Sequence, residues 1–517
     1  MATTTYLALL RHPPKYALAS VLIAFGGCLF GLDTGCIGPI TTMPQFIASI
    51  GHLSSTLHGL VVSSILLPAA TASFFAGHLA DALGRVCGIA IGSVIFGVGA
   101  ALEAASVRLA MLFVGRVITG IGEGLFLSTL VVYICEIAPP AYRGPLASIP
   151  QLLVTVGLCT GFFVCYGTVN ISSSISWRLP FALQAGLALG FAAACVLLLP
   201  ESPRWLTSVG RRDEAAKTWD VLGVSGAERE KEQEQVSIAP NVEGRKRPRD
   251  LFKVFGHKVW KRTALGVFLM GMQQLSGIDG VLYYAPLLFQ QAGLSSSQAS
   301  FLASGVSALL IFLATIPAFL LSDRWGRRTS TIAGGFGLSA CMILIGSLYA
   351  SRSVHGSYGA GRWAVIVMIY LFAIFFSITW AVGIKVYASE IQPPETRAAA
   401  TSLAYSSNWI INWIVAFTTP IFLANSTFGI YFLFGSATLL TAIVCSLFMP
   451  ETRGRTLESI NDAFEHSGSI KSSAVKIVDR LRSAMQPQRR HGLIADAASE
   501  DVELDILPAR LYTMGIP

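Results

Sequence analysis

Ionisable side chains sit inside long apolar stretches of this 517-residue chain: Asp33 in "CLFGLDTGCIG", Arg116 and Glu123 in "GRVITGIGEG", Asp279 in "QQLSGIDGVLYY" and Lys385 in "WAVGIKVYASEIQP". At the centre of a bilayer each such group costs roughly 2.5–3.5 kcal/mol, so each needs a partner or a task. Arg116 and Glu123 are seven residues apart, two helical turns, which puts them on one face. A buried carboxylate beside a cation can change its charge as its surroundings open and shut, which is the chemistry of proton binding. Gln273, Gln274 and Asp279 offer amide and carboxylate groups that exchange hydrogen bonds with several hydroxyls at once, which is what a polyhydroxy ligand requires. The sequence has no GxxxxGK[ST] loop for nucleotide phosphates, and "PESPR" is no nucleophile elbow. Neither a pump driven by ATP nor a hydrolase is expected, and no cofactor is called for. Nine cysteines stand singly without CxxC or metal spacing and read as small packing residues.

These groups must be positioned by helices. With 53% hydrophobic and 13% charged residues, the chain is a membrane protein. Apolar runs recur near 20–42, 58–78, 87–106, 111–135, 147–169 and 181–199, then near 263–290, 299–321, 330–350, 364–388, 400–423 and 428–449. Twelve spans follow, all helical, because the runs are too long for barrel strands. The expected organisation is an N-terminal tail (1–19), a six-helix bundle (20–200), a polar loop (201–262), a second six-helix bundle (263–450) and a tail (451–517). No cleavable leader is expected, since the first 19 residues are mixed and the run after them reads as a span. Arg85, Arg143, Arg324, Arg327, Arg328 and Arg397 crowd the turns on the side of the polar loop, which places that loop and both tails in the cytosol. The formal charge of +8 follows largely from this bias, so no nucleic-acid partner is implied. Asn170-Ile171-Ser172 and Asn425-Ser426-Thr427 are glycan acceptor patterns in loops expected to face outward.

The chain repeats itself. Asp81 to Arg85 returns as Asp323 to Arg327, Glu136 with Arg143 as Glu390 with Arg397, and Pro200-Glu201-Ser202 as Pro450-Glu451-Thr452. Each match falls on the same side, so six helices are duplicated in parallel orientation, with a site expected between the halves. Asp81, Arg85, Glu136, Arg143, Asp323, Arg327, Glu390 and Arg397 could form a network that closes the inner face and breaks when it opens, or could simply cap and orient the helices.

"FGLDTG", "GRVITGIGEG", "YICEIAPPAYRG", "PESPRWL", "QQLSGIDGVLYY", "DRWGRR" and "PETRGRTLE" together resemble the signatures of the sugar porter family of the major facilitator superfamily, in that family's order. The wording is most similar to hexose and related transporters of filamentous fungi. The resemblance implies that Asp33 is a proton-binding group with Arg116 as its partner. It also implies that Gln151, Gln273, Gln274, Asn408 and Trp409 line a sugar site. Departures are Glu123, where the family usually has an apolar residue, Asp279 in place of asparagine, Val131 and Val382 in place of prolines, and Lys385 where a tryptophan often packs under the sugar. Glu123 could share Arg116 with Asp33, bind a second proton, or be a structural partner only.

Lys385 has three readings. It can snorkel toward Glu390, only about 7.5 Å further along a helix axis. It can pair with Asp279. It can bind the carboxylate of a sugar acid, since a cation in place of an aromatic platform removes stacking and attracts an anion. The expectation is an all-α twelve-helix carrier in two pseudo-repeats that imports a monosaccharide with a proton. It should act as a monomer in the plasma membrane, with no partner beyond sugar, proton and lipid. A sugar-acid or polyol porter is the alternative, and a non-transporting sensor using the residues after Ser459 is the rival from another class.

Overall fold

In lipid an apolar segment of this length satisfies its backbone only by coiling, and twelve segments do so. They are α1 (Lys15–Thr42), α2 (Ser55–Leu83), α3 (Arg85–Ala104), α4 (Leu109–Ile137), α5 (Arg143–Thr168), α6 (Ile175–Leu198), α7 (Trp260–Tyr283), α8 (Ala299–Ala318), α9 (Arg327–Ala350), α10 (Ala360–Glu390), α11 (Ala399–Asn425) and α12 (Gly429–Phe448). The computed structural model describes residues 13–139, 142–224, 255–256, 259–294, 296–321, 325–355, 359–393 and 396–452. Helices overrun the apolar stretches at their polar ends: α1 starts at Lys15 rather than near 20, and α10 runs on to Glu390.

The duplication seen in the sequence is a duplication of packing. In the first half α1 lies along α5, α2 along α4, and α3 along both α4 and α6. In the second, α7 lies along α11, α8 along α10, and α9 along both α10 and α12. The halves meet where α2 touches α11 and α5 touches α8, which are equivalent pairs under the repeat. Lipid supplies no hydrophobic drive between helices, so close backbone approach does the work. On α1, Gly27, Gly31 and Gly35 press against the carbonyls of Pro150, Val154 and Leu158 of α5, where a Cβ would collide.

Two helices are interrupted. The first piece of α7 stops at Leu275, Gly277 takes φ +85, and a short turn resumes at Ile278. A side chain on Gly277 would strike the Phe434 ring, so glycine is required by space as well as by φ. In α10, residues Phe376–Trp380 form a π turn, the wide kind that accompanies functional sites.

The segment expected as a plain loop opens with two helices, Pro203–Ser208 and Arg212–Leu222. Ser202 caps the first by accepting from Trp205 N, with Pro203 at its first position, and Gly223 (φ +74) ends the second. Trp205 reaches Asp81, donating from Nε1 to its carbonyl over 2.9 Å, while Trp219 and Leu222 bury themselves in the first half's core. The loop thus begins as a strap under the arginine-rich end, for which the apolar faces of "SPRWL" and "AAKTWDVL" were the available signal.

The repeated Pro-Glu motif is a helix cap reaching across sequence. Glu201 accepts from Arg85 N, Val86 N and Cys87 N at 3.0, 3.2 and 3.3 Å. Glu451 does the same for Arg327 N and Arg328 N at 2.8 and 3.1 Å. A carboxylate on unsatisfied N–H groups at the positive end of a helix is favourable on both counts. Gly84, at φ +101, and Gly326 leave the space that each carboxylate enters. We predict that Glu201→Ala costs about 1–2 kcal/mol of stability, and that Gly84→Ala costs at least as much. Thermal denaturation in detergent should show both losses, with the double variant well short of their sum; a Gly84→Ala protein as stable as wild type would refute the cap.

Candidate functional site

The charged groups of the first half gather around Arg116, whose side chain has no solvent exposure. Its Nη1 donates to both carboxylate oxygens of Asp33, at 2.7 and 3.0 Å, and its Nη2 to the carbonyl of Val62 at 3.2 Å. The pairing expected of Asp33 and Arg116 is therefore present. Removing one partner from such a pair leaves a buried charge uncompensated, at about 3–5 kcal/mol.

Glu123 does not share the guanidinium. The second carboxylate there is Glu103 of α3, whose Oε2 lies 3.7 Å from Arg116 Nη1. Its other oxygen, Oε1, accepts from Thr119 Oγ1 at 2.6 Å. Both Glu123 oxygens are buried without a hydrogen-bond partner, so Arg116 acts on that carboxylate only at a distance. Glu103 escaped sequence reasoning because "GAALEAAS" reads as the polar end of an apolar run, and its partner lies on the next helix.

A polar site lies between the halves where α7 breaks. Gln273 Nε2 donates to the carbonyl of Trp380 in the π turn at 2.7 Å. Asn408 Nδ2 donates to Gln273 Oε1 at 3.2 Å and to the Met270 carbonyl at 2.9 Å, while Gln274 Nε2 donates to Asn408 Oδ1 at 3.2 Å. Gln273 and Asn408 hold the frame in place. Gln274 Oε1 and Asn412 Oδ1 are buried acceptors without donors, which ligand hydroxyls can supply. Asn412, one turn beyond Asn408, was not singled out in the sequence. The amides of Gln274 and Asn412 lie beside the Asp279 carboxylate. Trp409 meets Phe30 of α1 edge-on, with ring centroids 6.4 Å apart.

Lys385 faces this interior. Its Nζ donates to Gln151 Oε1 of the opposite half at 3.2 Å, which removes the snorkelling reading. Glu390 is engaged elsewhere, by Arg327 Nη2 at 3.5 Å and by Thr452 Oγ1 at 2.8 Å. Lys385 and Asp279 attract one another across the site, yet among the described residues they form no contact ion pair.

The charges at the arginine-rich end are paired within each half. Arg85 binds Glu136 at 3.1 Å and Asp81 at 2.6 Å, and Arg143 Nε donates to the carbonyl of Ala138 at 3.0 Å. Asp323 and the side chain of Arg397 lie outside the described residues. Among the described residues, no ion pair joins the halves at this end. A cavity of about 210 Å³ opens there instead, lined by Gly144 and Ser148 of one half and Trp325, Arg327, Val382 and Glu390 of the other. At the opposite end the halves are in backbone contact: Gly38 abuts the carbonyl of Tyr283, and Gly59 that of Phe417. His58 accepts or donates at Thr41 Oγ1 over 2.8 Å and packs edge-on against Tyr284, whose hydroxyl donates to the Ala416 carbonyl at 2.6 Å. Asn170 and Asn425 are exposed at that end.

Residues 19–464 match the sequence profile of the family described as Sugar (and other) transporter. The chain belongs to the sugar transporter family. A low-affinity glucose transporter of Saccharomyces cerevisiae is 31% identical over 468 residues, covering 87% of this chain and 82% of that one. A high-affinity hexose transporter of the same yeast is 30% identical over 475 residues, covering 87% and 81%. The inward-open xylose transporter XylE of E. coli superposes with a TM-score of 0.71 at 25% identity, over 86% of this chain and 98% of the other. The proton:xylose symporter XylE bound to 6-bromo-6-deoxy-D-glucose gives 0.70 at 26% identity, over 87% and 99%. This sugar transporter therefore has the major facilitator fold, with a cavity between the halves at the arginine-rich end and backbone contacts between them at the other.

Closure at the far end rests on the missing side chain of Gly38. We predict that Gly38→Val holds that end apart and shuts the cavity at the arginine-rich end. In a variant lacking the native cysteines and carrying Val382→Cys, labelling by a water-soluble thiol reagent should fall several-fold on adding Gly38→Val; equal labelling would show that the contact does not control the state.

Proposed function

We propose that the protein imports a monosaccharide together with a proton, by alternating access between its two halves and without chemistry on the sugar. The observation that carries the reading is the Asp33–Arg116 pair, wholly buried beside the helices that form the closed end. A proton arriving on Asp33 weakens its hold on Arg116 and changes the charge of the first half, which couples protonation to the packing of α1 against α4 and α7. Gln273, Gln274, Asn408, Asn412 and Trp409 supply the hydrogen bonds and the ring face that a sugar requires. The yeast relatives bearing glucose and hexose in their names, and XylE with xylose and proton in its title, support the same reading. By the excess of basic residues, the arginine-rich end faces the cytosol and the acceptor patterns at Asn170 and Asn425 face outward. The plasma membrane is the proposed location, and each chain carries a whole site.

A second reading is favoured by one contact. Among the described residues the ammonium of Lys385 donates only to the neutral amide of Gln151 and forms no ion pair with Asp279, so it is available to a carboxylate. On that reading the substrate is a sugar acid.

Uptake of labelled glucose, galacturonate and a polyol into yeast lacking its own hexose carriers, with and without an uncoupler, tests both. Glucose uptake that collapses with the uncoupler is the expected result; uptake indifferent to it would remove the proton. Preference for galacturonate would move the second reading to the front, and silence on all three would favour a sensor. Asp33→Asn should abolish accumulation while counterflow exchange persists in part. We further predict that Lys385→Trp raises uptake of neutral hexose relative to galacturonate by about tenfold, the order expected when a charge-assisted contact is lost; an unaltered ratio would take Lys385 out of the pocket.

A further inference from the structure

Arg116 Nη1 is ion-paired with two carboxylates, Asp33 at 2.7 Å and Glu103 at 3.7 Å, but is hydrogen-bonded only to Asp33. Asp33 takes both of its accessible oxygens to Nη1, whereas Glu103 Oε2 waits 3.7 Å from the same nitrogen and has no hydrogen-bond partner of its own. Glu103 is fully buried, and its position is set by backbone contact. Gly115 of α4 lies against its Cγ, Gly99 of α3 lies against Thr119, and Thr119 Oγ1 holds the other carboxylate oxygen. The unpartnered oxygen is about half an ångström beyond hydrogen-bond range of Nη1, a distance that side-chain torsions close without moving a helix.

We propose that Glu103 is the reserve counter-ion of Arg116, taking over Nη1 when Asp33 accepts a proton. The proposal rests on the proton-coupled reading and names the residue that makes its central step affordable. When Asp33 becomes neutral, the guanidinium would otherwise be left in a dry interior without a counter-charge. With Glu103 in place the charge on Arg116 stays compensated, and the proton moves onto Asp33 while the ion pair moves to α3. Two acids beside one cation titrate as a unit, so the pH dependence belongs to the trio and not to Asp33 alone. The other titratable groups facing this place are Glu123 on α4, Tyr283 at the end of α7 and Tyr284 just beyond it, with His58 of α2 packed on Tyr284. Among the described residues Glu123 makes no ion pair with Arg116, whereas Glu103 already stands 3.7 Å from it. Asp33, Arg116 and Glu103 all belong to the first half, so the exchange of partners needs no relative movement of the halves.

The test is the external-pH profile of sugar accumulation in cells expressing wild type, Glu103→Gln and Glu103→Asp, each checked for folding by size exclusion in detergent. Removing the competing charge should lower the midpoint by about one pH unit, a tenfold higher proton concentration for half-maximal accumulation. Glu103→Asp should return most of that shift. A Glu103→Gln carrier with the wild-type midpoint would overturn the proposal. If wild-type accumulation ignores both pH and uncoupler, the coupling reading itself fails, and the counter-ion role is read from stability. Asp33→Asn and Glu103→Gln should each leave a folded carrier, whereas the double variant, with no counter-ion for Arg116, should yield at least tenfold less folded protein. Additive losses would overturn the role on that arm.

Discussion

A guanidinium sealed from water sets the terms for the first half of this transporter. Arg116 cannot shed its proton and cannot reach solvent, so neighbouring helices must bring it acceptors. α1 brings Asp33, α3 brings Glu103 and α2 turns the Val62 carbonyl toward it. That demand explains the glycines around it, since Gly115, Gly120, Gly122 and Gly124 let α2 and α3 approach α4 closely enough for short acids and backbone oxygens to make contact. The second half has its interior cation, Lys385, donate to a neutral amide, that of Gln151, rather than to a carboxylate. Its interior is organised by amides and by the interruption of α7, so one half is built around charge and the other around hydrogen bonds.

Division of labour at the ends follows from the same logic. Among the described residues the ion pairs at the arginine-rich end lie within a half, Arg85 with Glu136 and Arg327 with Glu390, and Glu201 and Glu451 each cap a helix of their own bundle. Contact between halves at the far end is made by backbone, through Gly38 and Gly59. Each half therefore keeps its own shape whichever end is open, which is what a rocking motion about a central site requires.

Twelve helices, their duplication and the family were legible because long apolar runs and ordered motifs are local signals. The pairing of Asp33 with Arg116 was legible too, because few charges are available in such segments and each must find another. Glu103 was not, since the residues that hold it lie on α4 and only packing reveals the distance. Lys385 remained ambiguous for the same reason: its own helix offers Glu390 further along, whereas the contact that decides its direction is Gln151, more than two hundred residues away in sequence. The strap after Ser202 was read as loop because its charge density masked two short apolar faces.

The π turn in α10 deserves a different description, as a spare residue kept in the middle of a rod. Five residues there are wound more loosely than the α-helix on either side, and the carbonyl of Trp380 is taken by Gln273 of α7. An α-helix advances by 100° per residue, so drawing that one residue into regular winding would turn everything from Ala381 to Glu390 by about that angle relative to the preceding part. Lys385 would swing off Gln151, and Glu390 would leave Arg327. A single hydrogen bond from Gln273 thus sits on the turn whose winding sets where Lys385 and Glu390 point.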